Sequence, residues 1–390
     1  MKMKKSSYLL ISLVLLTLYL TGCIMPFEPV VMSETGGVLV VEGMILNEGT
    51  TIKLSRTVSL NNKSSRGNLV YGAHVQVIDD VHNVVAVAEP QIMDGNSVYV
   101  VSGEISFTPE VKYALDIQTD GKHYQSAFVS PVRTPEIDEI SWRQNPDGSM
   151  DIMVTTHDPD SQTEYYRWAF EEDWEIRSEL FGTFRYEPET REIIEQSIST
   201  ANNRFYCWES KKSNTIILGS SEQLTGTTIK DKVIHNFHDR NTRFSYLYSI
   251  LVKQYGLDKG AYTYFDNLRK NIELSGSLFA PQLTETYGNI TCLTNPDEMV
   301  IGYITASNSV MTRLYIDMTL ENLYLEGEDL HNCGETRNYA PSQLDNLYRY
   351  GYGIVTYEDF YYVCAPVRCV DCTSRGGTKN KPDFWPNDHQ

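Results

Sequence analysis

The sequence predicts a mainly β protein: an N-terminal Ig-like β-sandwich, then a larger β-rich domain with one α-helix, then a cysteine-rich tail. Three observations point there. Short runs rich in Val, Ile and Tyr recur along the chain, punctuated by Gly, Asn and Asp. One stretch has a helical apolar period. Four of the seven cysteines lie beyond residue 330.

The elements follow in order. Lys2, Lys4 and Lys5 precede an uncharged run, Tyr8 to Leu20. A basic head, a short apolar core and small residues at the exit make a secretory signal over residues 1–22. The run is shorter than the roughly twenty residues a spanning helix needs. Leu20, Thr21, Gly22 and Cys23 form a bacterial lipobox, which predicts lipidation at the Cys23 thiol and cleavage before it. Several acyl chains give stable anchoring where one would be marginal. Residues 23–35 follow as a tether.

From Gly37 the pattern turns to strands: "VLVVEGMI", "TIKLSRTV", "HVQVIDD", "VVAVAE", "SVYVVS", "KYALDIQT" and "HYQSAFV". They predict a β-sandwich over 36–134, closed by the two prolines of "VSPVRTPEIDEI". The second β-rich domain is expected over 135–330. "SMDIMVTTHD" and "TEYYRWAFEEDWEI" alternate around the turn "DPDS". The polar stretch "EPETREIIEQSISTANN" suggests a surface loop or short helix, and "NTIILGSS" and "FSYLYSILVKQY" suggest further strands. A helix is expected over about 258–275, because Ala261, Phe265, Leu268 and Ile272 recur at helical spacing. Asp258 is its N-cap and Gly276 its stop. "GNITCLTN" and "MVIGYITASNSVMTRLYIDM" return to strand patterning. Segment 331–390 has no clear period. Its "KPDFWP" puts two aromatics between prolines, suited to pinning the C-terminus onto a sheet.

The formal charge is −18, and removing a signal with three lysines and no acid leaves −18 − 3 = −21. Such a chain repels nucleic acid and anionic lipid. No nucleophile elbow, H-E-x-x-H, Walker loop or G-x-G-x-x-G is present, so no catalytic residue and no cofactor is assigned, and the reading leans away from an enzyme. "HNFHD", His235 to Asp239, could begin a metal site on a helix, but a loop with solvent-facing histidines is favoured. Asp158, Asp160 and Glu164 could hold calcium, but "DPD" between strands is first a turn. Cys333, Cys364, Cys369 and Cys372 are the disulfide candidates. The rival is a zinc knuckle using Cys369-x-x-Cys372, and an exported compartment favours disulfides. Cys207 and Cys292 lie near strands, where either could be a buried free thiol.

Several stretches in series carry a family likeness: the lipobox, "VLVVEGMI", "GAHVQVID", "VKYALDIQTDGKHYQS", "TPEIDEI", "FSYLYSILVKQYGLDKGAYTYFDNLRKNIELSGSLF", "GNITCLTNPDEMVIGYITAS" and "CVDCTSRGGTKNKPDFWP". The series resembles a family of Bacteroidota outer-membrane lipoproteins catalogued only as a domain of unknown function. The resemblance implies a lipoprotein often encoded beside a TonB-dependent outer-membrane transporter, with no known activity. The expectation is therefore a protein anchored in the outer membrane, an accessory or binding subunit of a TonB-dependent nutrient transporter. The alternatives are a secreted hydrolase acting on peptide or glycan, and a structural or adhesive surface protein.

Overall fold

Alternation of apolar residues decides the inside of the first sheet. Leu39 and Val41, Ile52 and Leu54, Val75 and Val77, and Leu115 and Ile117 sit two apart, and all are buried. The computed structural model describes residues 37–386, apart from 59–67, 94, 161, 188, 199–202, 238–242, 244–245, 275–287 and 319–332. The signal 1–22, Cys23 and the tether 23–35 lie outside the described residues, as do His238, Asp239 and Gly276. The mainly β class holds, with one long helix among the described residues.

Most strands of the N-terminal region lie in one ten-stranded sheet, nine of them on one path and the tenth, Asn68–Leu69, paired off it with Thr51–Arg56. Its path runs from Ile290–Cys292 through Lys122–Ser126, Tyr113–Thr119, His74–Asp79, Val84–Met93, Asn96–Val101, Thr51–Arg56 and Leu39–Gly43 to Val300–Ile301. The two ends of the path meet, where Asn289 N donates to Gly302 O at 3.3 Å, so the sheet curls almost into a barrel. Two of its strands thus come from beyond the boundary expected near residue 134. They are short, and the parallel pairing of Leu39 with Val300 is made by backbone, which leaves little mark in side-chain pattern.

The seam is tight. A Cβ on Gly288 would sit 1.8 Å from Gly302 O, and Gly302 itself has φ +146°. The Asn289 amide then acts as a substitute peptide group. Its Nδ2 donates to Ile304 O at 2.7 Å, and its Oδ1 accepts from Ile304 N at 2.8 Å.

Two further sheets pack face to face. One orders Ile137–Gln144, Met150–His157 and Thr228–Phe237, and the other orders Tyr206–Lys212, Tyr165–Arg177, Leu247–Leu257 and Ser309–Asp317. Met150, Ile152 and Val154 of one meet Trp168, Phe170, Ile250 and Val252 of the other in a single core. Buried Gln254 bridges them: it accepts from Trp168 Nε1 at 2.8 Å and donates to Thr156 Oγ1 at 3.0 Å.

The helix spans Lys259–Leu274. Asp258 Oδ1 accepts from Ala261 N at 2.9 Å, the expected cap. Ala261, Tyr264, Phe265 and Leu268 pack on Tyr165, Leu218 and Leu257, whereas Ile272 of the expected stripe is 59 % exposed. Asp258 also accepts from Thr305 Oγ1 at 3.1 Å and Tyr303 OH at 3.4 Å, tying the helix start to the seam of the first sheet.

The stretch expected as a surface loop or short helix supplies the turn and the second strand of a β-hairpin, Phe184–Glu187 with Glu192–Glu195. It leans on a C-terminal module in which Tyr361–Pro366 is the middle strand between Arg337–Tyr339 and Tyr352–Glu358, with a short helix Leu344–Arg349. Trp385 is buried, and its Nε1 donates to Glu175 Oε2 at 3.4 Å, so the tail aromatic does pin the C-terminal segment to strand Tyr165–Arg177.

The disulfides are Cys207–Cys372 and Cys333–Cys369, with Cα–Cα distances of 5.7 and 5.8 Å. Three of the four candidates are paired, and Cys207 supplies the missing partner. Cys364 is the correction: it is a free, buried thiol. Its side chain packs with Tyr186, Leu344, Leu347 and Ile354, a group without another cysteine, while Cys369 packs in the neighbouring group with Cys333. Burial pushes the Cys364 thiol up to about 12. Cys292 is also free and buried.

Candidate functional site

The hairpin and the C-terminal module enclose a cavity of about 410 Å³, a volume in the range of small-molecule sites. Local folding puts its wall in place. The hairpin alternates Phe184, Arg185, Tyr186 and Glu187, and Tyr186 is held under the module by its hydroxyl donating to Asp345. Thr183 N donates to Val355 O at 2.8 Å, joining the hairpin base to the facing strand. The cysteines fix the other side: Cys372 N donates to Arg204 O at 3.0 Å, and Leu180 N to Cys369 O at 2.8 Å. Each disulfide therefore sits beside a backbone contact between the tail and the segment that joins strands Tyr165–Arg177 and Tyr206–Lys212.

The two halves of the wall differ in how their polar groups are matched. On one half Arg204 Nη1 lies 3.5 Å from Asp371 Oδ2 and donates to Thr373 Oγ1 at 2.8 Å, and Asp371 Oδ1 accepts from Thr373 N at 2.9 Å. On the other half, Arg185 Nε, Glu187 Oε2 and Gln196 Oε1 are buried without a hydrogen-bond partner. Gln196 is held by its Nε2, which donates to Gly182 O at 3.1 Å, and Arg185 Nη2 stands 3.7 Å from Glu187 Oε1. A buried polar atom left unmatched costs about 1–3 kcal/mol. Aromatic side chains complete the wall. Tyr352 is fixed by the Arg337 guanidinium, 5.2 Å from its ring centroid, and by Tyr339, at 6.0 Å.

The residues singled out in sequence lie elsewhere. His235 stands within the strand Thr228–Phe237 rather than in an exposed loop. It is held between Phe170 and Phe237, with ring centroids at 4.4 and 4.8 Å. Its Nε2 is 3.2 Å from Glu172 Oε2, a buried carboxylate that also meets Arg243 at 3.0 Å and accepts from Tyr248 OH at 3.0 Å. Burial alone would raise Glu172, but His235, Arg243 and Tyr248 together hold its carboxyl below the usual range. The group is a polar cluster built around the buried Glu172 carboxylate.

Asp158 forms the expected turn. Its oxygens accept from Asp160 N, Gln162 N and Thr163 N at 3.1, 2.9 and 2.7 Å. Its burial favours the neutral acid, and these donors outweigh that, so its carboxyl sits below the ordinary value. Asp160 pairs with Arg133. The oxygens considered for calcium at these two positions are engaged by protein donors. Among the described residues no group of three or more His, Cys, Asp or Glu is arranged to hold a metal ion. Among them, too, no helix is long and apolar enough to cross a membrane.

Arg185, Glu187, Gln196 and Tyr352 were not found from sequence. The one signal available was the alternation of "FRYE" ahead of a polar turn, a hairpin pattern obscured by charge.

The family model described as "Domain of unknown function (DUF4249)" matches residues 24–313. The chain belongs to this family. A comparison with curated proteins finds no match. The DUF4249 match takes in the seam of the first sheet, the capped helix and the hairpin. It ends before the C-terminal module, so the cavity lies between DUF4249 residues and residues beyond the match.

Proposed function

We propose that this chain is a lipoprotein, anchored through Cys23 in the outer membrane, that serves as a binding or accessory subunit of a TonB-dependent nutrient transporter. The observation that carries the binding role is the cavity between hairpin and C-terminal module, with unmatched polar atoms in a wall otherwise fixed by disulfides and backbone hydrogen bonds. The lipobox supports the anchor, and two buried disulfides suit an oxidising compartment. Confinement to a membrane raises the effective concentration of a tethered subunit at its partner, so a weak contact suffices.

The test is extraction from native membranes in mild detergent at low salt, followed by pull-down. The protein is expected to bring down an outer-membrane transporter, and Cys23→Ser to release it from the membrane fraction. Retention of Cys23→Ser in the membrane would refute the anchor. Repeated pull-downs without a transporter, together with turnover of a peptide or glycan by the purified chain, would replace the binding role with a hydrolase.

A further inference from the structure

We infer that the cavity between the hairpin and the C-terminal module takes a neutral polyhydroxyl ligand, of the chemical class of a sugar ring. The inference rests on the cavity being a binding site, and it specifies what the site would bind.

Charge is the first argument. The ionised side chains of the wall are Arg185, Arg204, Glu187 and Asp371, two of each sign. Arg204 and Asp371 answer each other, and Arg185 stands near Glu187. A guest with net charge would leave one of these groups opposed by a like charge in a partly buried site. A neutral guest avoids that.

Hydrogen-bond inventory is the second. The three unmatched atoms are one donor, Arg185 Nε, and two acceptors, Glu187 Oε2 and Gln196 Oε1. They have no water-accessible surface as they stand, and all three belong to long side chains lining the cavity, which a torsional turn would swing toward a guest. A carboxylate or phosphate brings acceptors only and would oppose the two oxygens. An ammonium brings donors only and would oppose the guanidinium. A hydroxyl does both, so neighbouring hydroxyls on one ring can answer all three.

Shape is the third. Phe184, Tyr348 and Tyr352 supply aromatic surface, and the Arg337 contact holds the Tyr352 ring in place before any guest arrives. A sugar ring has an apolar C–H face as well as hydroxyl edges, which matches a wall that is aromatic in one part and polar in another. A rigid wall also lowers the ordering cost of binding.

The test is saturation-transfer NMR on the full mature chain in sugar-free detergent. The probes are D-glucose, D-galactose, N-acetyl-D-glucosamine and cellobiose, with glycylglycine and citrate as zwitterionic and anionic comparators. At least one neutral sugar is expected to show saturable transfer to its ring protons. Tyr352→Ala and Glu187→Gln should each weaken that binding by about tenfold or more, with thermal unfolding recorded for both. Glu187→Gln keeps the side-chain shape and serves if Tyr352→Ala does not fold. Stronger transfer to cellobiose than to glucose would identify a glycan end as the source of the ring, and equal transfer a free sugar. No saturable binding of any sugar up to about 10 mM, or sugar binding unchanged in Glu187→Gln, would overturn the inference. Binding of glycylglycine or citrate alone, lost in Glu187→Gln, would overturn the ligand class and leave the binding role standing. Silence from every probe, beside a transporter in the pull-down, would remove the cavity's role and keep the accessory one.

Discussion

The seam of the first sheet and the cavity wall are built in opposite ways. At the seam, Asn289 answers both backbone groups of Ile304, Asp258 answers Ala261, Tyr303 and Thr305, and Gly288 and Gly302 approach so closely that a methyl group cannot enter. At the cavity, Arg185, Glu187 and Gln196 each keep a buried atom unanswered. The seam lies inside the DUF4249 match, and the module that closes the cavity lies outside it. The stretches that carry the family likeness, "GN……VIGY" above all, thus do structural work: they close a barrel-like sheet and lock a helix to it. Matched groups make a rigid frame, and unmatched groups beside a cavity leave interaction energy for a guest.

The contrast can be broken most severely at Gly288. Gly288→Ala forces a Cβ against Gly302 O and should cost more than about 4 kcal/mol, seen as loss of folded protein or a collapsed urea midpoint. A wild-type midpoint would mean the seam is looser than its geometry. Cutting the staple comes next. Cys372→Ser removes the bond to Cys207 and should cost about 2–4 kcal/mol. Hydrogen exchange should show Tyr352–Glu358 and Tyr361–Pro366 losing protection while Leu39–Gly43 keeps it. Equal loss in both places would show that frame and cavity unfold as one unit.

The smallest effect sharpens the contrast by comparison. Glu187→Gln alters a group with an unmatched oxygen and one ion pair at 3.7 Å, so stability should move by about 0.5 kcal/mol or less. Asn289→Ala strips two partners from Ile304 and should cost at least about 2 kcal/mol. Similar urea midpoints for the two variants would erase the distinction.

Much of the frame was legible in the sequence. Period-two burial marked the pairs Leu39 and Val41, and Ile52 and Leu54. Helical spacing marked Ala261, Phe265 and Leu268, and Asp158 and Asp258 announced a turn and a cap through their side-chain chemistry. Trp385 was legible as a pin because a large aromatic between prolines has few other uses. What escaped was long-range. Ile290–Cys292 and Val300–Ile301 join the first sheet by backbone pairing, which no local pattern encodes. The partner of Cys372 escaped because spacing does not determine connectivity. The hairpin escaped because Arg185, Glu187, Glu192 and Glu195 conceal its alternation. The cavity escaped because its wall is assembled from two segments, 184–204 and 347–374, that meet only after folding.

Leu39–Gly43 is the first of the described strands, and one of its edges is covered by Val300–Ile301. Order of arrival then matters. A chain emerging N-terminus first can pair this strand with Thr51–Arg56 at once, but its far edge stays bare until most of the chain has followed. The edge of Lys122–Ser126 waits likewise for Ile290–Cys292. Bare strand edges are templates for pairing with other chains. The first sheet to be started therefore closes only when its late strands arrive, and over that interval its edges stay open to pairing with other chains.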